Sequence, residues 1–225
     1  RTGRFPATVG GGQQVLAERQ SHRRCVRRPQ PELRLPADGS VRRLMAVDLS
    51  AIAKWPNVPA CYDWLSLDRR GDWRLQGERV THHGFIALLN RQYGVDDRGC
   101  WFVQNGPQRV FVALAYTPWI FRFTAEGLQS HTGISCGNIT ACFLDQEGSA
   151  LIDTELGIGL LDDRDLPAFI EECRQNERVT VDEENWLKIM AGETIANITW
   201  RGLPVQAIAQ NDVASRFSFQ PNPQP

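Results

Sequence analysis

The apolar runs in this chain have the length of strands. The longest, Val110-Phe-Val-Ala-Leu-Ala-Tyr116, has seven residues. A run that short, bounded by turn residues, reads as a strand buried on both faces. No stretch approaches the roughly 18 apolar residues of a membrane-spanning helix. Trp119 to Phe123 is a second strand, with Trp119, Phe121 and Phe123 on one face and Arg122 on the other. Ile139 to Leu144 and Ala150 to Ile152 read the same way, as does a hairpin that enters through Trp64 to Asp68 and leaves through Trp73, Arg74 and Leu75.

Helical spacing is scarcer. Phe85, Leu88 and Leu89 form an i, i+3, i+4 stripe, which predicts a helix from about His82 to Gln92, capped by Thr81 and closed by Gly94. Leu166, Phe169, Ile170 and Cys173 predict another, begun by Asp162, Asp163 and Asp165 at its positive end. Ser50 to Lys54 reads as a short helix, and Trp186 to Met190 as a short helix or strand. Residues 124–136 are weakly patterned, and Ile195 to Trp200 pairs with Leu203 to Ile208 across Gly202. The fold class that follows is α+β, built on antiparallel strands in strand–turn–strand–helix units. The expected core includes Trp73, Phe85, Leu88, Leu89, Trp101, Phe111, Trp119, Phe121, Phe169 and Ile170.

Leu67-Asp-Arg-Arg-Gly71 returns 77 residues later as Leu144-Asp-Gln-Glu-Gly148. A strand lies on either side of each copy, and an apolar helix stripe follows each. Either an old duplication or the common grammar of a hairpin followed by a helix would give this echo. It suggests two related subdomains, residues 45–130 and 131–220, with a frayed tail at 221–225.

Residues 1–44 are a different kind of sequence. They hold ten arginines and three acids, a balance of +7; the other 181 residues hold 15 basic and 23 acidic side chains, a balance of −8. Gly10-Gly-Gly12 and Pro29, Pro31 and Pro36 oppose a long helix, and little apolar surface is present to offset ordering entropy. Met45 is the first methionine, and organised sequence begins near it. The leader is expected to be disordered or extraneous to the fold. No apolar core follows the first arginines, so no secretory signal is read. The six cysteines (25, 61, 100, 136, 142 and 173) match no metal or redox spacing and are too sparse for a disulfide scaffold. Free thiols and a cytoplasmic location follow as expectations.

No catalytic constellation stands out. His131, Cys136 and Asp153 are the candidate catalytic groups, because a Cys–His pair near a carboxylate is the minimum for nucleophilic chemistry. The simpler reading of Cys136 is a buried thiol. His82, His83 and His131 are the candidate metal ligands, although adjacent helical residues point about 100° apart and do not make the i, i+4 pair of zinc proteases. Asp153, Glu155, Asp162, Asp163 and Asp165 lack the order of a calcium loop. Gly157-Ile-Gly159 lacks the third glycine of a dinucleotide loop. No cofactor is expected. A nucleic-acid surface would need Arg69, Arg70, Arg74, Arg109 and Arg122 on one face, and the acidic balance argues against that class.

Three segments carry a resemblance. Trp64-Leu-Ser-Leu-Asp-Arg-Arg-Gly-Asp-Trp-Arg-Leu-Gln-Gly-Glu-Arg-Val80, Gly99-Cys-Trp-Phe-Val-Gln-Asn-Gly-Pro-Gln-Arg-Val-Phe-Val112 with Tyr116-Thr-Pro-Trp119, and Phe143 to Gly148 with Thr154 to Gly157 and Leu161 to Leu166 resemble an uncharacterised proteobacterial family of unknown function. The resemblance spans about residues 45–220. It implies a cytoplasmic α+β protein with a homodimer as its candidate assembly, and it brings no catalytic residues. The function expected is therefore an interaction or regulatory module without catalysis, with an enzyme whose site is assembled from distant residues as the alternative, and a weak nucleic-acid binder as the third. The small-molecule ligand is open.

Overall fold

A computed structural model describes residues 58–225 except 177, 178, 194 and 196. All of these belong to the compact unit Arg43–Pro225. The leader, the expected helix at Ser50 to Lys54 and Cys25 lie outside the described residues.

The first sheet is made by β1 (Ala60–Leu67), β2 (Trp73–Leu75), β3 (Glu78–Arg79), β4 (Tyr93–Val95), β5 (Trp101–Asn105) and β6 (Gln108–Leu114), with α1 (His83–Gln92) between β3 and β4. Its order is β3-β2-β1-β6-β5-β4. β7 (Trp119–Thr124) and β8 (Gly127–Ser130) follow. Then come β9 (Ile139–Leu144), β10 (Ala150–Thr154), β11 (Gly157–Leu161), a 3₁₀ turn at Asp163–Asp165, α2 (Leu166–Glu172), β12 (Cys173–Gln175), α3 (Glu183–Met190), β13 (Ile198–Trp200), β14 (Leu203–Ala207) and α4 (Gln210–Arg216). The second sheet runs β12-β13-β14-β9-β10-β11-β7-β8. Strands with four helices among the described residues make the class α+β.

Six strands of the second sheet, read as β11-β10-β9-β14-β13-β12, follow the order of the first with every number raised by eight. Each set has a parallel pair at its centre, β1 with β6 and β9 with β14. In each, a helix follows the third strand. The expectation of antiparallel strands is corrected here: those two pairs and β11 with β7 are parallel. A parallel pair needs a long crossover, and hairpins plus a helix fill it in both halves.

The core is continuous from Leu65 and Val112 through Phe121 to Leu151, Phe169 and Trp200. Both faces of β7 are packed, since Trp119, Ile120 and Phe121 are all buried. Two core assignments need correction. Ile170 is 43% exposed, because Phe169 alone turns the short α2 inward, and Leu88 is only partly buried. Two helix boundaries also differ. His82, not Thr81, caps α1, its Nδ1 accepting from the Phe85 N–H at 3.1 Å. Gly94 does not close the helix; Tyr93 already turns extended and Gly94 lies in β4. The tail expected to fray runs past the first sheet. The Gln220 N–H donates to Gly99 O, the Leu114 N–H donates to Pro221 O, and Pro223 is buried.

Candidate functional site

Three turns share one hydrogen-bond plan. In Asp68–Asp72, Asp96–Cys100 and Asp145–Ser149, the aspartate Oδ1 accepts from the N–H groups two and four residues on, at 2.9–3.0, 2.9 and 2.8–2.9 Å. The glycine N–H donates back to the aspartate carbonyl. A short polar side chain that mimics a backbone turn is what makes Asp effective here. At the fourth position φ is +80° at Gly71, +79° at Gly99 and +78° at Gly148, which glycine adopts without steric cost.

The first and third of these turns meet. Arg69, two residues before Gly71, donates from Nη2 to Ser149 Oγ at 2.7 Å, and its guanidinium lies 4.7 Å above the Tyr116 ring. The Tyr116 hydroxyl donates to Asp145 Oδ2 at 2.9 Å. Both of those side chains are buried, and Asp145 has no exposure at all. Burial, and then the hydrogen bond to Asp145, push the tyrosine's pKa up, so it stays a donor. The result is a fixed relay, Asp145–Tyr116–Arg69–Ser149, that ties one turn to the other.

This relay borders an open cleft of about 370 Å³. Its floor is aliphatic, from Ala150, Leu160, Leu161 and Leu166; its polar wall is Arg69, Arg70 and Ser149. Glu147 and Asp163 stand at the lining as well. Arg70 pairs with Asp163 at 2.7 Å, both side chains being more than half exposed. Arg69 differs, since among the described residues no carboxylate pairs with it. The volume falls in the range of small-molecule sites, about 300–1,000 Å³.

The groups picked out from the sequence lie elsewhere. His131 follows β8 and packs under the first turn, where a Cβ on Gly71 would come 2.6 Å from its own Cβ. Its ring is enclosed by Trp73, Tyr93 and Trp119, with centroids 5.6, 5.6 and 5.7 Å away. As a residue it is half-buried, yet Nε2 is wholly removed from water and has no hydrogen-bond partner. Nδ1 accepts from the Ile120 N–H at 3.4 Å, which leaves the proton of the neutral ring on Nε2, facing aromatic surface. Burial pulls the ring's pKa down to about 3.

Cys136 is buried, and burial pushes its thiol up to about 12. Asp153 is on β10, accepting from Thr140 Oγ1 at 2.9 Å. No hydrogen bond joins His131, Cys136 and Asp153. His82 and His83 are exposed at the start of α1, and among the described residues no group of three His, Cys, Asp or Glu side chains is placed to hold a metal. The five described cysteines are free and buried.

The five arginines weighed for nucleic acid are also divided. Arg74 is held by Asp68 at 2.9 Å and Arg122 by Asp165 at 2.6 Å. Arg109 lies over the Phe102 ring at the start of β6, opposite Ala60, whereas Arg69 and Arg70 follow the far end of β1. Sequence reading missed Arg69, Tyr116, Asp145 and Ser149 as a group. The signal that marks them is the echoed Leu-Asp-x-x-Gly, because both ends of the relay sit in or beside it.

No curated protein matches the chain. Two solved structures are similar to it. One is a DUF1285 family protein from Silicibacter pomeroyi DSS-3, at 13% identity and a TM-score of 0.41, covering 66% of this chain and 88% of that one. The other is a DUF1285 family protein from Shewanella baltica OS155, at 18% identity and a TM-score of 0.38, covering 48% and 91%. Residues 45–224 match the family model DUF2944, described as "Protein of unknown function (DUF2946)", and the chain belongs to that family.

Proposed function

We propose that this chain is a non-catalytic interaction or regulatory module that takes a small molecule into the cleft between its two matched turns. The observation that carries this reading is Arg69, fixed by Tyr116 and Ser149 on the wall of an aliphatic cleft with no carboxylate pairing it among the described residues. A cation held in one geometry and left unneutralised is a binding group whose ordering cost is already met. The finer fold reading belongs with it. The strand sets β1–β6 and β9–β14 are two related units from one duplication, and the cleft lies where their equivalent turns meet. Seams between units are a common place for ligand sites. The module acts in the cytoplasm, where five buried free thiols persist unpaired, and a homodimer is its candidate assembly.

An amide-resolved NMR titration with a fragment set of aliphatic acids, alcohols, amines and phosphates tests the site. Shifts should cluster at residues 68–72, 145–150 and 160–166. If every binding fragment shifts amides elsewhere, or none binds, the cleft is not the site.

A further inference from the structure

We infer that the ligand of this cleft is a monoanionic aliphatic carboxylate, its carboxylate held between Arg69 and Ser149 and its hydrocarbon body on the leucine floor. The inference rests on the small-molecule reading of the cleft and adds the chemical class.

Donor accounting points to an anion. A guanidinium carries five N–H donors and a serine hydroxyl one. Among the described residues, Arg69 spends one donor on Ser149 Oγ and its face on Tyr116. Ser149 Oγ accepts that bond, and among the described residues its own proton is given no acceptor. Two groups in direct contact therefore present unused donors, beside Ala150, Leu160 and Leu161. A ligand that covers them removes their water, and an unmet buried donor is costly. A carboxylate fits the planar fork with two parallel hydrogen bonds and can take the serine proton as a third.

Charge then selects a single negative charge. Arg70 is already paired with Asp163, so Arg69 is the one described cation at the lining that lacks a carboxylate. Glu147 shares the lining, and buried Asp145 stands behind Tyr116. A dianion such as a phosphate ester would meet both of these like charges, with one guanidinium to offset them. The apolar part of the lining is aliphatic and contains no aromatic ring, which gives a flat base nothing to stack on and a methylene chain a dry contact.

Hexanoate, hexanol and inorganic phosphate are the probes, titrated by calorimetry and amide NMR into the full chain, the Arg69→Met variant and the Ser149→Ala variant. Methionine keeps an unbranched stem against Tyr116 without the charge, and near-UV circular dichroism checks that each variant is folded. Hexanoate should bind at least tenfold more tightly than hexanol, lose that margin in Arg69→Met, and weaken severalfold in Ser149→Ala and at high salt. Hexanol and hexanoate binding alike in the cleft, or hexanoate unaffected by Arg69→Met, would overturn the carboxylate assignment and leave the small-molecule site standing. Phosphate binding more tightly than hexanoate would overturn the monoanion. Binding of no probe in the cleft would remove both the class and the site.

Discussion

The His131 ring sits in a place where its charged form has no solvation. Trp73, Tyr93 and Trp119 surround it, and its neutral form is held down to about pH 3. Its ordinary pKa is 6.5. Above that value neither folded nor unfolded chain protonates it, so it adds no pH dependence. Below it the unfolded chain takes up the proton and the folded chain does not, and stability is lost as pH falls towards about 3. Between pH 7 and pH 5 this one residue should remove about 2 kcal/mol. Other groups titrate on the acid side too; buried Asp162, for instance, is held at about 2, since the penalty of burial is outweighed by its Arg164 hydrogen bonds and the Arg122 and Arg164 charges. The readout is therefore a difference. Denaturant unfolding of the wild type and of His131→Phe, at both pH values, should show the variant losing about 2 kcal/mol less. Phenylalanine removes the unpartnered Nε2 but also the Nδ1 acceptor of the buried Ile120 N–H, so the variant should be less stable at pH 7 by about 1–3 kcal/mol, and only the change between the two pH values carries the test. Equal acid sensitivity in the two proteins would mean the ring is solvated.

At the level of the element, the Asp-x-x-Gly turn is used more than once, and its context differs between copies. Asp145 is buried and also receives the Tyr116 hydroxyl. Asp68 keeps 21% of its side chain exposed and adds an ion pair to half-exposed Arg74. Asp145→Ala would strand two backbone N–H groups and a buried hydroxyl, at about 3 kcal/mol or more. Asp68→Ala also frees two backbone N–H groups, but that turn is partly exposed and no buried hydroxyl depends on it, so it should cost less, about 1–2 kcal/mol. Urea unfolding of both variants checks the ranking, and equal costs would mean the relay adds nothing to the turn. Strand β11 carries a second test. A Cβ at Gly159 would overlap the ring of Phe121, which is fully buried on the paired strand β7. Gly159→Ala should cost about 1–3 kcal/mol by overpacking, and less when made together with Phe121→Leu, which clears the space. The cores of strands β6, β7, β9 and β10 are legible from the sequence because their apolar runs are dense and turns bound them. β11 is not, because two glycines and three aliphatic residues look like a loop until a large neighbour explains the small one. α4 is hidden for a related reason: Gln210–Arg216 buries only Val213 and has no stripe. The relay at the cleft is unreadable for a third reason. Arg69 and Ser149 are 80 residues apart, and nothing local to either states that they touch.

Across the whole molecule, the two strand sets behave as one body in this arrangement even though each has its own sheet order. The shared core cluster runs through both, and β7 joins the second sheet through β11 while its Phe121 fills the space beside Gly159. Polar ties cross as well, from Arg69 to Ser149 and from Tyr116 to Asp145. The tail then leaves α4, after the last strand of the second sheet, and returns to the first. Phe219 is buried there, and the backbone of Gln220 and Pro221 pairs with Gly99 and Leu114. A chain stapled at both ends of its connection should unfold in one cooperative step. Native-state hydrogen exchange reads this directly. Amides of Val110 to Leu114 in β6 and of Cys142 to Leu144 in β9 should open with free energies within about 1 kcal/mol of each other. Deleting residues 218–225 removes the Phe219 contact and, with Gly99 and Leu114, two backbone hydrogen bonds, besides two more to Ala214 and Ser215 of α4, a loss of about 2–4 kcal/mol. In a single cooperative body that loss appears equally at β6 and β9, although the tail's backbone pairs with Gly99 and Leu114 on the first sheet's side and with α4, and not with β9. A loss confined to β6, with β9 protection unchanged, would show two independently folding halves and would undo the argument that the seam between them is rigid enough to hold a preorganised site.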